Sequence, residues 1–160
     1  MMRRIVSLLV ITTSLGMLYA NPSSTVSESV VLPGFATFEY PKVVKLGKAN
    51  CQKVYLDYQI DETLDINGAA IAIQIGNVKK KTLNGGTVWF GLLPDSGDLG
   101  SMPYIGRVAI QVCKKNWTFK TQKYLAIQPQ TYDLYFGYGW YFADGTSSKS
   151  QEIRKIKFTK

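Results

Sequence analysis

The sequence contains no histidine, and this absence excludes several chemistries at once. Histidine is the commonest general base in enzymes and the commonest zinc or copper ligand, and the Ser-His-Asp and Cys-His arrangements both require it. Charged residues make up only 19% of the chain, which is ordinary for a β-rich protein and low for a helix-rich one. No stretch keeps an apolar repeat of helical period over three turns. We therefore predict an all-β protein that is not an enzyme and carries no metal or cofactor.

Carboxylates are the remaining source of catalytic or metal-binding groups, and they form two loose clusters. One cluster surrounds a turn and the other lies in a long loop: Asp57, Asp61, Glu62 and Asp65; Asp95 and Asp98. Their oxygens could bind Ca²⁺, but neither cluster has the spacing of a twelve-residue calcium loop. Solvated turn residues are the favoured interpretation. A hydrolase that uses carboxylates only is the least favoured alternative.

The first twenty residues have the pattern of a secretory signal peptide. Arg3 and Arg4 supply a short positive region, residues 5–18 are mostly apolar, and Ala20 offers a small residue for cleavage. A membrane-spanning helix needs roughly 20 apolar residues, more than this run contains. We therefore predict removal of residues 1–20 and a secreted or periplasmic protein that does not span a membrane once processed.

Only two cysteines are present, Cys51 and Cys113. Disulfides form and persist in the oxidising compartments that exported proteins reach. With two cysteines a single intramolecular pairing exists, so we predict one disulfide between them.

The rest of the chain alternates apolar and polar residues between turn signals. Residues 21–34 are predicted to be a flexible lead-in, with room for a short strand at 30–32. Residues 35–160 are predicted to form one domain, in which the segment 114–127 is ambiguous and could include a helical turn. Seven strands are predicted, at 36–46 (with Pro41 at an edge or bulge), 51–60, 69–75, 87–93, 105–113, 131–141 and 151–159.

One short motif indicates which sandwich these strands form. Ile127-Gln128-Pro129-Gln130-Thr131-Tyr132 resembles the approach to the sixth strand in fibronectin type III and related immunoglobulin-like domains, with Gln130 where that pattern has glycine. The resemblance implies an immunoglobulin-like antiparallel β-sandwich of about seven strands, in which the Tyr132 hydroxyl caps the upstream loop. In that fold the second and fifth strands are antiparallel neighbours. Cys51 begins the second and Cys113 ends the fifth, and alternation puts both on the outer face of one sheet.

The strongest candidate for a binding surface is the aromatic segment 138–142. Tyr138, Trp140 and Tyr141 could stack on a sugar or form a protein hot spot, and Trp117 and Trp89 could extend them. The alternative is that Tyr138 and Trp140 continue the apolar face of the sixth strand into the core, which leaves Tyr141 outside.

These observations together favour an exported, non-enzymatic module that recognises a protein or a cell-surface component. A carbohydrate-binding module that uses exposed aromatics is the alternative. The net charge is +8, and loss of Arg3 and Arg4 with residues 1–20 leaves +6. An exported protein of that charge could be attracted to a glycan or an anionic surface, although the favoured interpretation is that the charge only aids solubility. Nucleic acid is not expected, because the sequence has no recognisable reader motif.

Overall fold

A computed structural model describes residues 26–61, 69–86, 88–91, 105–141 and 147–160. Every regular element in these ranges is a β-strand, and they include no helix with the length and apolar character that crossing a membrane requires. The strands of the described residues are, in chain order, β1 (Ser27–Leu32), β2 (Ala36–Pro41), β3 (Val43–Lys45), β4 (Cys51–Ile60), β5 (Ala69–Asn77), β6 (Thr82–Leu83), β7 (Val88–Gly91), β8 (Ile105–Cys113), β9 (Trp117–Phe119), β10 (Gln122–Tyr124), β11 (Thr131–Tyr141) and β12 (Ser147–Thr159).

The strands form two main sheets and one short hairpin. The first sheet has the order β1-β2-β4-β8, and the second has the order β3-β12-β11-β5-β6, with β7 also paired to β5. Aromatic rings bridge the two apolar faces, with 5.3 Å between the ring centres of Phe38 in β2 and Phe136 in β11. The partition of β2, β4 and β8 from β5, β11 and β12 is that of an immunoglobulin-like sandwich. The predicted fold class is confirmed.

Strict alternation explains why three strands have the predicted bounds. β4, β8 and β11 begin and end where the sequence pattern places them. In β4 every second residue from Val54 to Ile60 is buried, and in β11 the buried row includes Tyr132, Leu134 and Phe136. Successive side chains of a strand point to opposite faces, so each strand contributes one face to the core.

The chain changes sheets at Pro41, where the sequence predicts a single strand over 36–46. β2 ends at Pro41, and β3 then pairs with β12 of the other sheet. Proline has no N–H to donate to a sheet ladder, which accounts for the break at this residue. The β3–β12 pairing is parallel, with Val43 opposite Lys157, whereas the other strand pairs of the described residues are antiparallel.

The segment predicted as a flexible lead-in contributes a strand from Ser27 onward. β1 pairs with β2 along its whole length, and Val30 and Leu32 are buried in the core. The turn between the two strands is closed by the Phe35 N–H, which donates to the Leu32 carbonyl at 2.9 Å. Burial of these two side chains offsets the entropy of ordering the segment, and the sandwich therefore begins at β1 and not at residue 35.

A β-hairpin lies within the segment 114–127, for which the sequence leaves a helical turn open. β9 and β10 pair antiparallel, and the connection between them contains Lys120 with φ 51°. The Trp117 and Tyr124 rings stack across the pair, with centres 4.3 Å apart and planes 17° apart. Cross-strand aromatic pairs of this kind stabilise a hairpin.

Two contacts fix the corner of the sandwich as the sequence predicts. Cys51 and Cys113 are direct register partners in the β4–β8 pairing and form the disulfide. Cys51 is exposed, whereas Cys113 is fully buried because the Ile127 N–H, bonded to the Cys113 carbonyl at 2.7 Å, brings a later segment alongside it. The Gln128 N–H donates to the Tyr132 hydroxyl at 2.8 Å, which is the predicted cap of the upstream loop.

Candidate ligand-binding groove

The predicted aromatic surface is in large part the end of the hydrophobic core. Tyr138 and Trp140 are partly buried and pack against the core cluster. Both rings contact Phe35, at 5.0 Å and 5.2 Å between ring centres. The two side chains therefore continue the core face of β11. The side chain of Tyr141 lies outside the described residues.

Trp117 belongs to the opposite end of the sandwich. Its hairpin is tied to β6, because the Leu125 N–H donates to the Leu83 carbonyl at 2.7 Å. Leu83 is the register partner of Gly76, whereas Trp140 is the partner of Ala69 at the other end of β5. Seven residues of strand correspond to about 24 Å, so Trp117 and Trp140 do not form one platform.

The backbone of Trp89 pairs with Ala72 in β5, between the two ends of that strand. The backbone of Trp89 therefore lies beside neither Trp117 nor Trp140.

Only part of the two predicted carboxylate clusters lies within the described residues. Asp57 forms a bidentate ion pair with Arg107 across the first sheet, at 2.5 and 2.8 Å. Asp61 follows β4 directly. Among the described residues no three His, Cys, Asp or Glu side chains come close enough to hold a metal ion. Four members of the two clusters lie outside the described residues: Glu62, Asp65, Asp95 and Asp98.

A groove of about 870 Å³ lies on the outer face of the second sheet. Its floor is formed by the outward positions of β5, β11 and β12, which the register arranges in rows. The first row is Ala70, Gly139 and Lys149, the second is Ala72, Gly137 and Gln151, and the third is Gln74 and Tyr135. Sequence reasoning missed this surface, although its first two rows hold four small residues at two-residue spacing.

Close approach to backbone requires a glycine at Gly139, whereas Gly137 lies beneath a neighbouring side chain. A Cβ atom at Gly139 would lie 1.8 Å from the Ser148 carbonyl oxygen, well inside van der Waals contact. A Cβ atom at Gly137 would lie 2.9 Å from both the Cε1 and Oη atoms of Tyr135. The Tyr135 ring therefore lies along the strand over Gly137 and forms part of the floor.

One wall of the groove is the turn 77–81 with β6 and β10. Asn84 anchors it, because its buried side-chain amide donates to the carbonyls of Leu125 and Ala126 at 3.3 and 3.0 Å. The turn is closed by the Lys80 N–H, which donates to Asn77 Oδ1 at 2.9 Å. These bonds tie the wall to the sheet, so the groove is preformed in the folded chain.

Among the described residues that line the groove there are three lysines and no carboxylate. Lys81 and Lys123 lie on the wall, and Lys149 lies on the floor. All three side chains belong to exposed residues. A ligand in the groove therefore meets a positive potential, together with amide and hydroxyl groups.

The carboxylate next to the floor, Asp133, is already neutralised by partners. Asp133 is on the same outward face of β11 as Tyr135, two residues before it. It accepts a hydrogen bond from the Val78 N–H at 2.8 Å and forms an ion pair with Lys155. Burial alone raises the pKa of Asp133, but the hydrogen bonds from Lys155 and Val78 and the attraction of Lys155 and Lys79 outweigh it and hold that pKa below its usual value.

This ion pair gives a pH-dependent stability. A folded-state pKa below the unfolded one contributes stability above the unfolded pKa, and the contribution is lost as pH falls through the folded pKa. We expect Asp133→Asn to lower the free energy of unfolding by roughly 1–3 kcal/mol at pH 7 and by much less at pH 2.5. Urea unfolding at both pH values measures this difference. Glu152→Gln, which removes the half-exposed pair with Arg154, is the matched control and should cost under about 0.5 kcal/mol. An Asp133→Asn deficit that is equal at both pH values would contradict the assignment.

Comparisons with known proteins give no family for this chain. No family model matches it, and neither does any curated protein sequence. Among solved structures it is similar to AggA, the major subunit of aggregative adherence fimbriae type I (AAF/I) from Escherichia coli, at 11% sequence identity and a TM-score of 0.37. The match covers 85% of this chain and 96% of AggA. Similarity at this level supports no inference about function, which has to come from the groove.

Proposed function

We propose that this chain is an exported, non-enzymatic binding module that holds a protein or cell-surface component in the groove of its second sheet. The observation that carries the proposal is the preformed concavity of about 870 Å³, with a floor of small residues and a hydrogen-bonded wall. Ligand sites are typically concave, largely preformed and lined by a few placed polar groups. An ordinary outer sheet face presents large polar side chains instead, and it has no wall.

The floor strands restrict how a partner is held. β5 pairs with β11 on one side and with β6 and β7 on the other, and β11 lies between β5 and β12. The main-chain groups of β5 and β11 are therefore engaged within the sheet, so a partner cannot add a strand beside either of them, whereas β12 is paired beyond β11 only with β3, at residues 157–159. Recognition in the groove depends on side chains: amides, hydroxyls, ammonium groups and the Tyr135 ring.

Filling the groove tests the proposal. Residues 21–160 should be assayed by biolayer interferometry against purified extracellular-matrix proteins, cell-wall polymers and polysaccharides. We expect at least one ligand whose affinity falls more than about tenfold in Ala70→Trp, because the indole occupies the floor. Gln59→Trp is the matched control, since it adds the same bulk to an exposed position on the first sheet and should leave the affinity unchanged.

The fold of each variant should be checked by near-ultraviolet circular dichroism. If Ala70→Trp fails to fold, Gln151→Trp adds the same side chain at an exposed position of the groove. A ligand that binds the groove-filled and control variants equally well would contradict the proposal. So would the absence of any ligand across the three classes.

A further inference from the structure

We infer that the ligand of the groove is an anionic polysaccharide, an inference that rests on the proposed function and gives it a ligand class. The positive charges of the groove lie in two places. Lys149 is in the first row of the floor beside Gly139, whereas Lys81 and Lys123 lie on the wall near Asn77. Gly139 and Asp133, the register partner of Gly76, are six residues apart on β11, which corresponds to a distance of about 20 Å along the strand.

Cations separated in this way suit a polymer with repeated negative charges better than a small anion. A single phosphate or carboxylate could reach only one end of the groove. A chain of acidic sugars can place one charged group near Lys149 and another near Lys81 and Lys123, with uncharged ring atoms in between. In the part of the lining that the structure describes no carboxylate opposes such a ligand, and Asp133 is neutralised by Lys155 and the Val78 N–H.

The stretch between the lysines has the chemistry that sugar rings require. The Tyr135 ring lies along the floor over Gly137 and is partly exposed, so it offers an aromatic face for a pyranose to stack on. Gln151 and Gln122 supply amide groups that both donate and accept hydrogen bonds, as sugar hydroxyls do. The small side chains at Ala70 and Ala72 let a flat ring approach the sheet.

Binding of heparin tests the inference, with dextran of matched length as the neutral polysaccharide. We expect titration calorimetry to show heparin binding at 50 mM NaCl that weakens as the salt concentration rises, and little or no dextran binding. Replacing Lys81, Lys123 and Lys149 by alanine should lower the heparin affinity at least about tenfold. Replacing Lys45, Lys48 and Lys53, which are exposed and outside the groove, removes the same charge and should change it less than about threefold.

A second pair of variants separates sugar recognition from simple charge attraction. Tyr135→Ala should weaken heparin binding about threefold to tenfold through loss of the stacking face, whereas Tyr135→Phe keeps the ring and should bind normally. Poly-glutamate is the peptide polyanion for comparison. Equal affinity for poly-glutamate, with the same dependence on the groove lysines and none on Tyr135, would assign the groove to an acidic peptide and overturn the inference.

The remaining outcomes are also decisive. Equal losses in the two triple-lysine variants would show nonspecific attraction to the net charge, and absence of heparin binding would reject the ligand class. Either result overturns the inference about the ligand class. The proposed function still stands in that case if binding of another ligand is blocked by Ala70→Trp and not by Gln59→Trp. If no ligand shows that difference, the proposed function fails as well.

Discussion

Removing the disulfide between Cys51 and Cys113 is expected to lower the free energy of unfolding by about 4 kcal/mol. The bond joins residues that are 62 positions apart in the sequence. In the oxidised protein the unfolded chain is confined to a loop of that size, whereas the reduced unfolded chain is not. The folded state changes less, because β4 and β8 remain paired from Cys51 opposite Cys113 to Gln59 opposite Ile105. The effect therefore arises chiefly in the unfolded ensemble.

Guanidinium unfolding of the Cys51→Ala/Cys113→Ala variant measures this loss. Alanine is preferred to serine, because the Cys113 side chain is fully buried and a hydroxyl there would add a desolvation cost. Lys53→Ala, on the same strand and exposed, is the control and should change stability by under about 0.5 kcal/mol. Two free thiols in the protein purified without reductant, or a loss below about 1 kcal/mol, would contradict the prediction.

The strands that carry the disulfide could be predicted because their signals are local. Alternation in β4 and β8 fixes which residues face the core, and turn residues on both sides fix where each strand ends. Once the two strands are neighbours, parity places Cys51 opposite Cys113. The complete burial of Cys113 could not be predicted in this way, because it depends on the segment near Ile127, whose position follows from the β9–β10 hairpin.

The groove could not be found from alternation, because its parts are far apart in the sequence. Its floor needs the register between β5 and β11, and its wall needs the β6 and β10 contacts. The sequence does show small residues at two-residue spacing, Ala70 with Ala72 and Gly137 with Gly139. They occupy outward positions of strands whose inward positions are apolar, and this pattern is the signal from which a concave outer face could have been predicted.

For the aromatic segment 138–142 the sequence predicts the face of the strand but not how far each ring is buried. The core alternative for Tyr138 and Trp140 agrees with the structure, because alternation correctly assigns the face on which they lie. How much of each ring is covered depends on Phe35, which comes from the connection between β1 and β2. No local feature of the 138–142 segment points to that partner. Exposure at the end of a core is therefore decided by distant residues.

Truncating Phe136 is expected to lower the free energy of unfolding by about 3–5 kcal/mol in Phe136→Ala. The side chain is fully buried at the centre of β11, which pairs with β5 on one side and β12 on the other. These two pairings hold the strand in place, so the site cannot easily collapse around the cavity left by the ring. Tyr135→Ala, one residue earlier and on the outer face, is the matched control and should cost under about 1 kcal/mol.

The energy of the contact between the two sheets can be measured separately from the total loss of stability in the Phe136 variant. Phe38 and Phe136 belong to different sheets, and their ring centres are 5.3 Å apart. In a double-mutant cycle with Phe38→Leu and Phe136→Leu, we expect a coupling energy of about 0.5–1.5 kcal/mol. A strand that merely kept its own sheet intact would give additive losses, because Phe38 would then have no contact with β11. Zero coupling in denaturant unfolding would therefore contradict the face-to-face packing of the two sheets, even if each single variant were destabilised as expected.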